Sequence, residues 1–185
     1  MLPEDFVNRM KEMLGEEYPA FYESYEKPRY QALRVNPLKA ESRKFDAIAP
    51  FSLTPVPWAA DGFYYAASDT PGRHPYHEAG VYYIQEPSAM APVEYLTLPL
   101  AAEQTAAAAG ADAGRRDGAD NGKSVVVGDG ERILDLCAAP GGKSTQIAAA
   151  MRGNGILVSN EIHPARAKIL SENVERMGIC SAMVT

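Results

Sequence analysis

Two short apolar runs, Arg132-Ile133-Leu134-Asp135-Leu136-Cys137 and Ile156-Leu157-Val158-Ser159-Asn160, bracket a turn, Ala138-Ala139-Pro140-Gly141-Gly142-Lys143, and a helix-forming stretch over residues 144–152. Nothing else in the chain restricts its fold as strongly. Runs this short and this apolar suit strands buried in a parallel sheet, and parallel neighbours need a crossover helix between them. Gly153-Asn154-Gly155 ends that helix. Pro164 stands in the first turn of a second helix, whose inward stripe is Ala167, Leu170, Val174 and Met177, and Gly178 terminates it. Residues 181–185 then begin a third strand. Strand, helix, strand, helix, strand is the opening half of a doubly wound α/β sheet.

Upstream the pattern is mixed. Phe6, Val7, Met10, Met13 and Leu14 recur at the spacing of one helical face, which predicts a helix over 3–14. Tyr18, Phe21, Tyr22 and Tyr25 mark a second, with an aromatic stripe that belongs to a core. Tyr30-Gln31-Ala32-Leu33-Arg34-Val35 reads as a strand stopped by Asn36-Pro37, and 42–49 as a further helix. Leu53 to Tyr65 suits extended segments and turns. His74-Pro75-Tyr76-His77 reads as a loop; it has no third ligand for a metal. Gly80-Val81-Tyr82-Tyr83-Ile84-Gln85-Glu86 is a strand, and Pro87-Ser88-Ala89-Met90 opens a helix to about Leu96. Residues 101–130, rich in Ala, Gly and Asp, contain too few large apolar side chains to offset their ordering entropy and read as a flexible insertion. Three regions follow: 1–100, α+β; 101–130, the insertion; 131–185, half of an α/β domain.

Charge and cysteine content exclude several classes. The chain of 185 residues has a net charge of −6, unlike a protein that grips nucleic acid through a uniformly basic surface. Lys27, Arg29, Arg34, Lys39, Arg43 and Lys44 nevertheless cluster against a single acid, Glu41, either as a local patch or as an ordinary solvated face. Cys137 and Cys180 are too few and too far apart for a disulfide scaffold or a zinc site, which points to the reducing cytoplasm. No apolar stretch is long enough to span a membrane, and the acidic start is unlike a secretory signal. No metal and no membrane are expected.

A glycine turn at the end of a strand lets the backbone approach a ligand, while the next helix directs free amides at it. A phosphate-cradling Walker loop needs Gly five positions before Gly142-Lys143-Ser144, where Cys137 stands. Gly-x-Gly-x-x-Gly is absent at Gly141 and Gly142. Glu161 ends the second strand, 19 positions after Gly142, where such sheets place an acid against a ribose diol. The combination suits a nucleoside without phosphates, of which S-adenosyl-L-methionine is the common one. A tight structural turn beside a solvated Glu161 and, despite the poor spacing, a nucleoside triphosphate or dinucleotide site are the alternatives.

Asp135-Leu136-Cys137-Ala138-Ala139-Pro140-Gly141-Gly142-Lys143-Ser144-Thr145-Gln146 resembles the cofactor loop of the Nol/Nop/Sun-type RNA cytosine-5 methyltransferases. The likeness continues in Leu33-Arg34-Val35-Asn36, in Leu53-Thr54-Pro55-Val56-Pro57-Trp58, in Gly62-Phe63-Tyr64 and in Tyr83-Ile84-Gln85-Glu86-Pro87-Ser88-Ala89-Met90. Asn160-Glu161-Ile162, Arg166, Asn173 and Arg176-Met177-Gly178-Ile179 are similar to the bacterial RsmF type. The resemblance implies a Rossmann-like class I methyltransferase sheet preceded by a smaller α+β RNA-facing domain. It implies S-adenosyl-L-methionine held by Cys137, Ala138, Ala139, Pro140, Gly141, Gly142 and Lys143, with Glu161 on the ribose, and a monomer acting on the RNA of the small ribosomal subunit. Lys143 would face the methionyl carboxylate or an RNA phosphate; Arg34 and Asn36 touch RNA or buttress the fold. The family's nucleophilic cysteines follow a Pro and a Thr in later motifs that are absent here, so the 185 residues are expected to be a C-terminally truncated, inactive and poorly soluble piece, with Cys137 and Cys180 inert. The competing expectation is a non-catalytic RNA-binding or ribosome-associated module with a vestigial loop.

Overall fold

The computed structural model describes residues 2–96 and 131–185; the expected insertion at 101–130 lies outside the described residues. Contacts divide the chain into Met1–Tyr30 and Gln31–Thr185. Composition pointed to a break after residue 100, yet the sheets before and after it share one unit.

The first unit holds helices α1 (Glu4–Leu14) and α2 (Tyr18–Ser24), joined by a 3-10 turn at Gly15–Glu17. The aromatic stripe, expected to belong to a core, packs on itself and on α1, but no residue of either helix is buried and Tyr25 is 50% exposed. Phe21 meets Phe6 at 6.3 Å and Tyr25 edge-on at 5.3 Å.

The second unit contains two sheets. Strands β1 (Ala32–Val35), β2 (Leu53–Pro55), β3 (Gly62–Tyr65) and β4 (Tyr82–Ile84) form an antiparallel sheet in the order β2-β3-β1-β4. Helix α3 (Ser42–Ile48) lays Phe45 on one face, where Leu33, Val35, Phe63 and Tyr82 complete a core. The opposite face of β1 is covered too: Ala32 packs with Val56, Ala59 and Met90. A strand covered on both faces buries whatever it carries, Arg34 included.

Residues 74–77, expected as a loop, form the start of a one-turn helix, α4 (Pro75–Glu78). His74 Nδ1 caps it by accepting from the Tyr76 amide at 3.2 Å, a local hydrogen bond that composition does not reveal. After β4, a 3-10 turn (Pro87–Met90) leads into α5 (Ala91–Leu96).

The second sheet is parallel, β5 (Arg132–Asp135), β6 (Ile156–Ser159) and β7 (Ala182–Val184) in that order, with α6 (Gly142–Met151) and α7 (Pro164–Arg176) as crossovers. Successive right-handed crossovers in one direction put both helices on one face. Leu157, Ile147 and Met151 pack there, as do Leu170, Val174 and the loop residues Ala138 and Ala139. The other face shows Leu134 (57% exposed), Met183 (58%) and Ile156 to solvent. Helix α6 is buried nearly all round, because the 3-10 turn Pro87–Met90 and α5 pack against its second side. Among the described residues no helix is long and apolar enough to cross a membrane, and no cluster of His, Cys, Asp or Glu could hold a metal.

Candidate functional site

The glycine loop leaves β5 and is tied down by its carbonyls. Asn160 Nδ2 donates to Leu136 O at 3.0 Å, Arg166 to Ala139 O at 2.9 Å and Asn173 Nδ2 to Pro140 O at 2.8 Å. Tyr83 Oη donates to Pro140 O at 3.3 Å, and Arg34 to Gly142 O at 3.3 Å. Asp135 fixes both ends, accepting from the Cys137 amide and, at 2.7 Å, from Ser144 Oγ. Four carbonyls between Leu136 and Gly142 thus accept side-chain hydrogen bonds.

The amides are disposed differently. Gly141, at φ +112°, turns the chain directly into α6, and no side chain caps that helix. Its first-turn amides have no acceptor within the helix and project from its start, which favours an anionic or acceptor-rich ligand. Gly141 is confined to glycine by its backbone, and a Cβ there would also stand 3.2 Å from Leu170 Cδ1. A Cβ on Gly142 would meet Tyr83 and Gln85 at ordinary contact distances.

Beside the loop lies a cavity of about 190 Å³, walled by Ala138, Ala139, Pro140, Gly142 and Lys143 on one side and by Tyr83, Ile84, Gln85, Glu86 and Ala89 on the other. The second wall comes from β4 and the turn after it. Sequence reading gave that stretch as a strand and the start of a helix, without a place beside the glycine loop. Burial raises the Tyr83 phenol above its ordinary range against the opposing pull of Arg176 and Arg34, so it serves as a hydrogen-bond donor and not a base.

Glu161 sits at the end of β6, one guanidinium away from the loop: Arg166 reaches Glu161 Oε2 at 3.3 Å while its other nitrogen holds Ala139 O. The Glu161 side chain is only 3% exposed, and Oε1 accepts from the His163 amide at 3.0 Å. Each carboxylate oxygen has a second lone pair.

Lys143 is exposed and has no polar partner among the described residues. Cys137 and Cys180 are both exposed thiols. Arg34 and Asn36, each 1% exposed, are internal buttresses. Arg34 Nε donates to Gln85 Oε1 and its fork to Thr145 Oγ1, both at 2.8 Å; Asn36 donates to Gly80 O and Met177 O. Burial lowers the Arg34 pKa to about 10, partly offset by Asp61, so it remains charged at neutral pH. Within the basic run, Arg34 is buried, Lys39 donates to Ala79 O and Arg176 O, Lys44 pairs with Glu41 at 2.7 Å, and Lys27 pairs with Glu23.

Residues 2–87 match the family described as the N-terminal domain of 16S rRNA methyltransferase RsmF, and residues 125–185 match 16S rRNA methyltransferase RsmB/F. Among curated proteins, the ribosomal RNA small subunit methyltransferase F of Enterobacter sp. (strain 638) is 35% identical over 99% of this chain and 34% of its own length. That of Erwinia tasmaniensis is 33% identical over the same shares. The chain therefore spans about a third of the length of these relatives. Among solved structures, a methyltransferase homolog protein from Pyrococcus horikoshii aligns with a TM-score of 0.72 at 26% identity, over 100% of this chain and 52% of its own. NSun6 from the same organism shares the fold, with a TM-score of 0.67 at 14% identity, over 99% of this chain and 65% of its own.

Proposed function

We propose, for a chain that is RsmF-like in both its N-terminal domain and the first half of its class I methyltransferase sheet, that it contributes the cofactor site of an S-adenosyl-L-methionine-dependent enzyme methylating cytosine C5 in small-subunit ribosomal RNA. One observation carries the reading. The loop's carbonyls are tied back while the α6 amides and the adjoining cavity stay open. Such a cradle suits a nucleoside with an anionic tail and lacks a phosphate cage.

The cofactor supplies an electrophilic methyl group. Within the protein, residues 137–143 shape the floor of its site, with Gly141 turning the backbone and Gly142 leaving room along the cavity. Glu161 accepts from ribose hydroxyls once Arg166 yields. Asp135, Asn160 and Asn173 keep the loop in place and touch no ligand. Cys137 and Cys180 are assigned no role as nucleophiles: the first belongs to the cofactor loop, and neither follows the Pro or Thr of the family's nucleophile motifs. The 185 residues by themselves are accordingly expected to bind cofactor without transferring methyl groups. Ribosomal RNA as partner places the work in the cytoplasm, and a monomer suffices for it.

The closed state of Glu161 favours one other reading, an RNA-binding module whose loop no longer takes the cofactor. Calorimetric titration with S-adenosylhomocysteine separates them. Binding that is lost in Glu161→Ala supports the cofactor site. RNA binding with no measurable cofactor uptake supports the module, and methyl transfer by the isolated 185 residues contradicts the expected inactivity.

A further inference from the structure

Trp58, the only tryptophan in the chain, stands in the turn between β2 and β3, and that turn is fixed from within. The Val56 amide donates to Gly62 O at 2.9 Å, the Ala59 amide to Val56 O at 3.1 Å and the Gly62 amide to Ala59 O at 3.0 Å. Val56 and Ala59 are buried with Ala32 and Met90. A Cβ on Gly62 would come within 2.7 Å of Met90 Sδ, so the turn is packed to contact. The indole itself is 44% exposed, and its Nε1 donates to Pro87 O at 2.9 Å. Pro87 lies between Glu86 and Ala89, which both wall the cavity beside the glycine loop. Among the described residues no aromatic ring packs on the indole, and no Lys or Arg stands over it.

The one polar atom of this indole is already satisfied by a protein carbonyl. What remains for a partner is a π face and an apolar edge, held in a fixed position. Such a surface suits a flat ring, and the bases of single-stranded RNA provide one. Bases inside a duplex are stacked on their neighbours and cannot reach it. An enzyme that acts on a base must also take that base out of its stack, which leaves the adjoining bases in need of a new surface. We propose that Trp58 is the stacking platform for an unpaired RNA base next to the one methylated. The inference rests on the RNA methyltransferase reading and adds to it a substrate-binding residue from the antiparallel sheet. The platform reads no sequence, because every base has a π face.

The test titrates the protein at its full natural length with a fluorescein-labelled single-stranded oligoribonucleotide of small-subunit ribosomal RNA sequence, and with the same strand annealed to its complement. Anisotropy measures affinity. Trp58→Ala is expected to weaken the single strand about 5- to 100-fold, the loss of one base–aromatic stack, and to leave the duplex unchanged. Trp58→Phe keeps a ring and loses the N–H, so it should recover most of the affinity. A role confined to the hydrogen bond with Pro87 O would give no such recovery. Tryptophan emission gives a second readout with unlabelled RNA: the single strand is expected to quench it, and Trp58→Phe to remove that quenching. This readout stands even where Trp58→Ala misfolds. Equal affinity in Trp58→Ala, a Phe variant as weak as the Ala one, or quenching that persists without Trp58 overturns the platform alone. If the unsubstituted protein binds neither form of the RNA, the ribosomal RNA reading fails first and takes the platform with it.

Discussion

Adjacent glycines in the loop do different work, and substitution separates them. Gly141→Ala places a Cβ on a backbone at φ +112° and 3.2 Å from Leu170 Cδ1; a loss of about 1–3 kcal/mol is expected in a denaturant titration. Gly142→Ala lies at a helical position with ordinary contacts, so the melting temperature should hold or rise while cofactor affinity falls, because its methyl group enters the cavity wall. Arg34 is a second residue-scale case. Arg34→Met removes the donor to Gln85 and Thr145 in a dry interior, and urea unfolding should register a loss of about 3 kcal/mol. Arg34→Lys should recover little, since a single ammonium cannot reproduce the fork. Sequence reading identified the loop because glycine spacing and apolar runs are local signals. It left Arg34 undecided because an arginine alternating with Leu33 and Val35 reads as a solvent-facing position; the polar partners that bury it, Gln85, Gly142 and Thr145, lie 51, 108 and 111 positions away.

At the scale of elements, the contact between the antiparallel sheet and the end of α7 includes one close approach. Gly80, at φ +67°, lies so near Arg176 O that an added Cβ would overlap it at 1.9 Å. Asn36 crosses the same seam, donating to Gly80 O at 2.9 Å and Met177 O at 2.8 Å. Asn36→Asp replaces a double donor by an acceptor facing two carbonyls. It should therefore destabilise more than Asn36→Ala, itself expected to cost about 1–3 kcal/mol by thermal denaturation. The helices and strands around the seam were legible from periodicity. The seam was not, since its partners lie 44 and 141 residues apart in the chain. The same limit hid the cavity's second wall: Gln85 and Glu86 reach the loop only through tertiary packing.

For the molecule as a whole, the bare face of the parallel sheet is the dominant liability. Leu134 and Met183, joined across the sheet through Val158, form an exposed apolar row. The 185 residues produced alone should bind a hydrophobic dye and self-associate in light scattering. Leu134→Lys combined with Met183→Lys should suppress both without lowering the melting temperature, as neither side chain is in the packed core. The shared helix has a different consequence, for how such proteins can be recombined. Thr145 and Gln146 satisfy their polar groups on Arg34, Gln85 and Met90 O, so a chimera that grafts residues 131–185 onto a foreign leader would inherit a ligand loop whose supporting helix had lost its polar lining. Exchange between relatives should succeed only when the leader and the loop travel together, as a single heritable block.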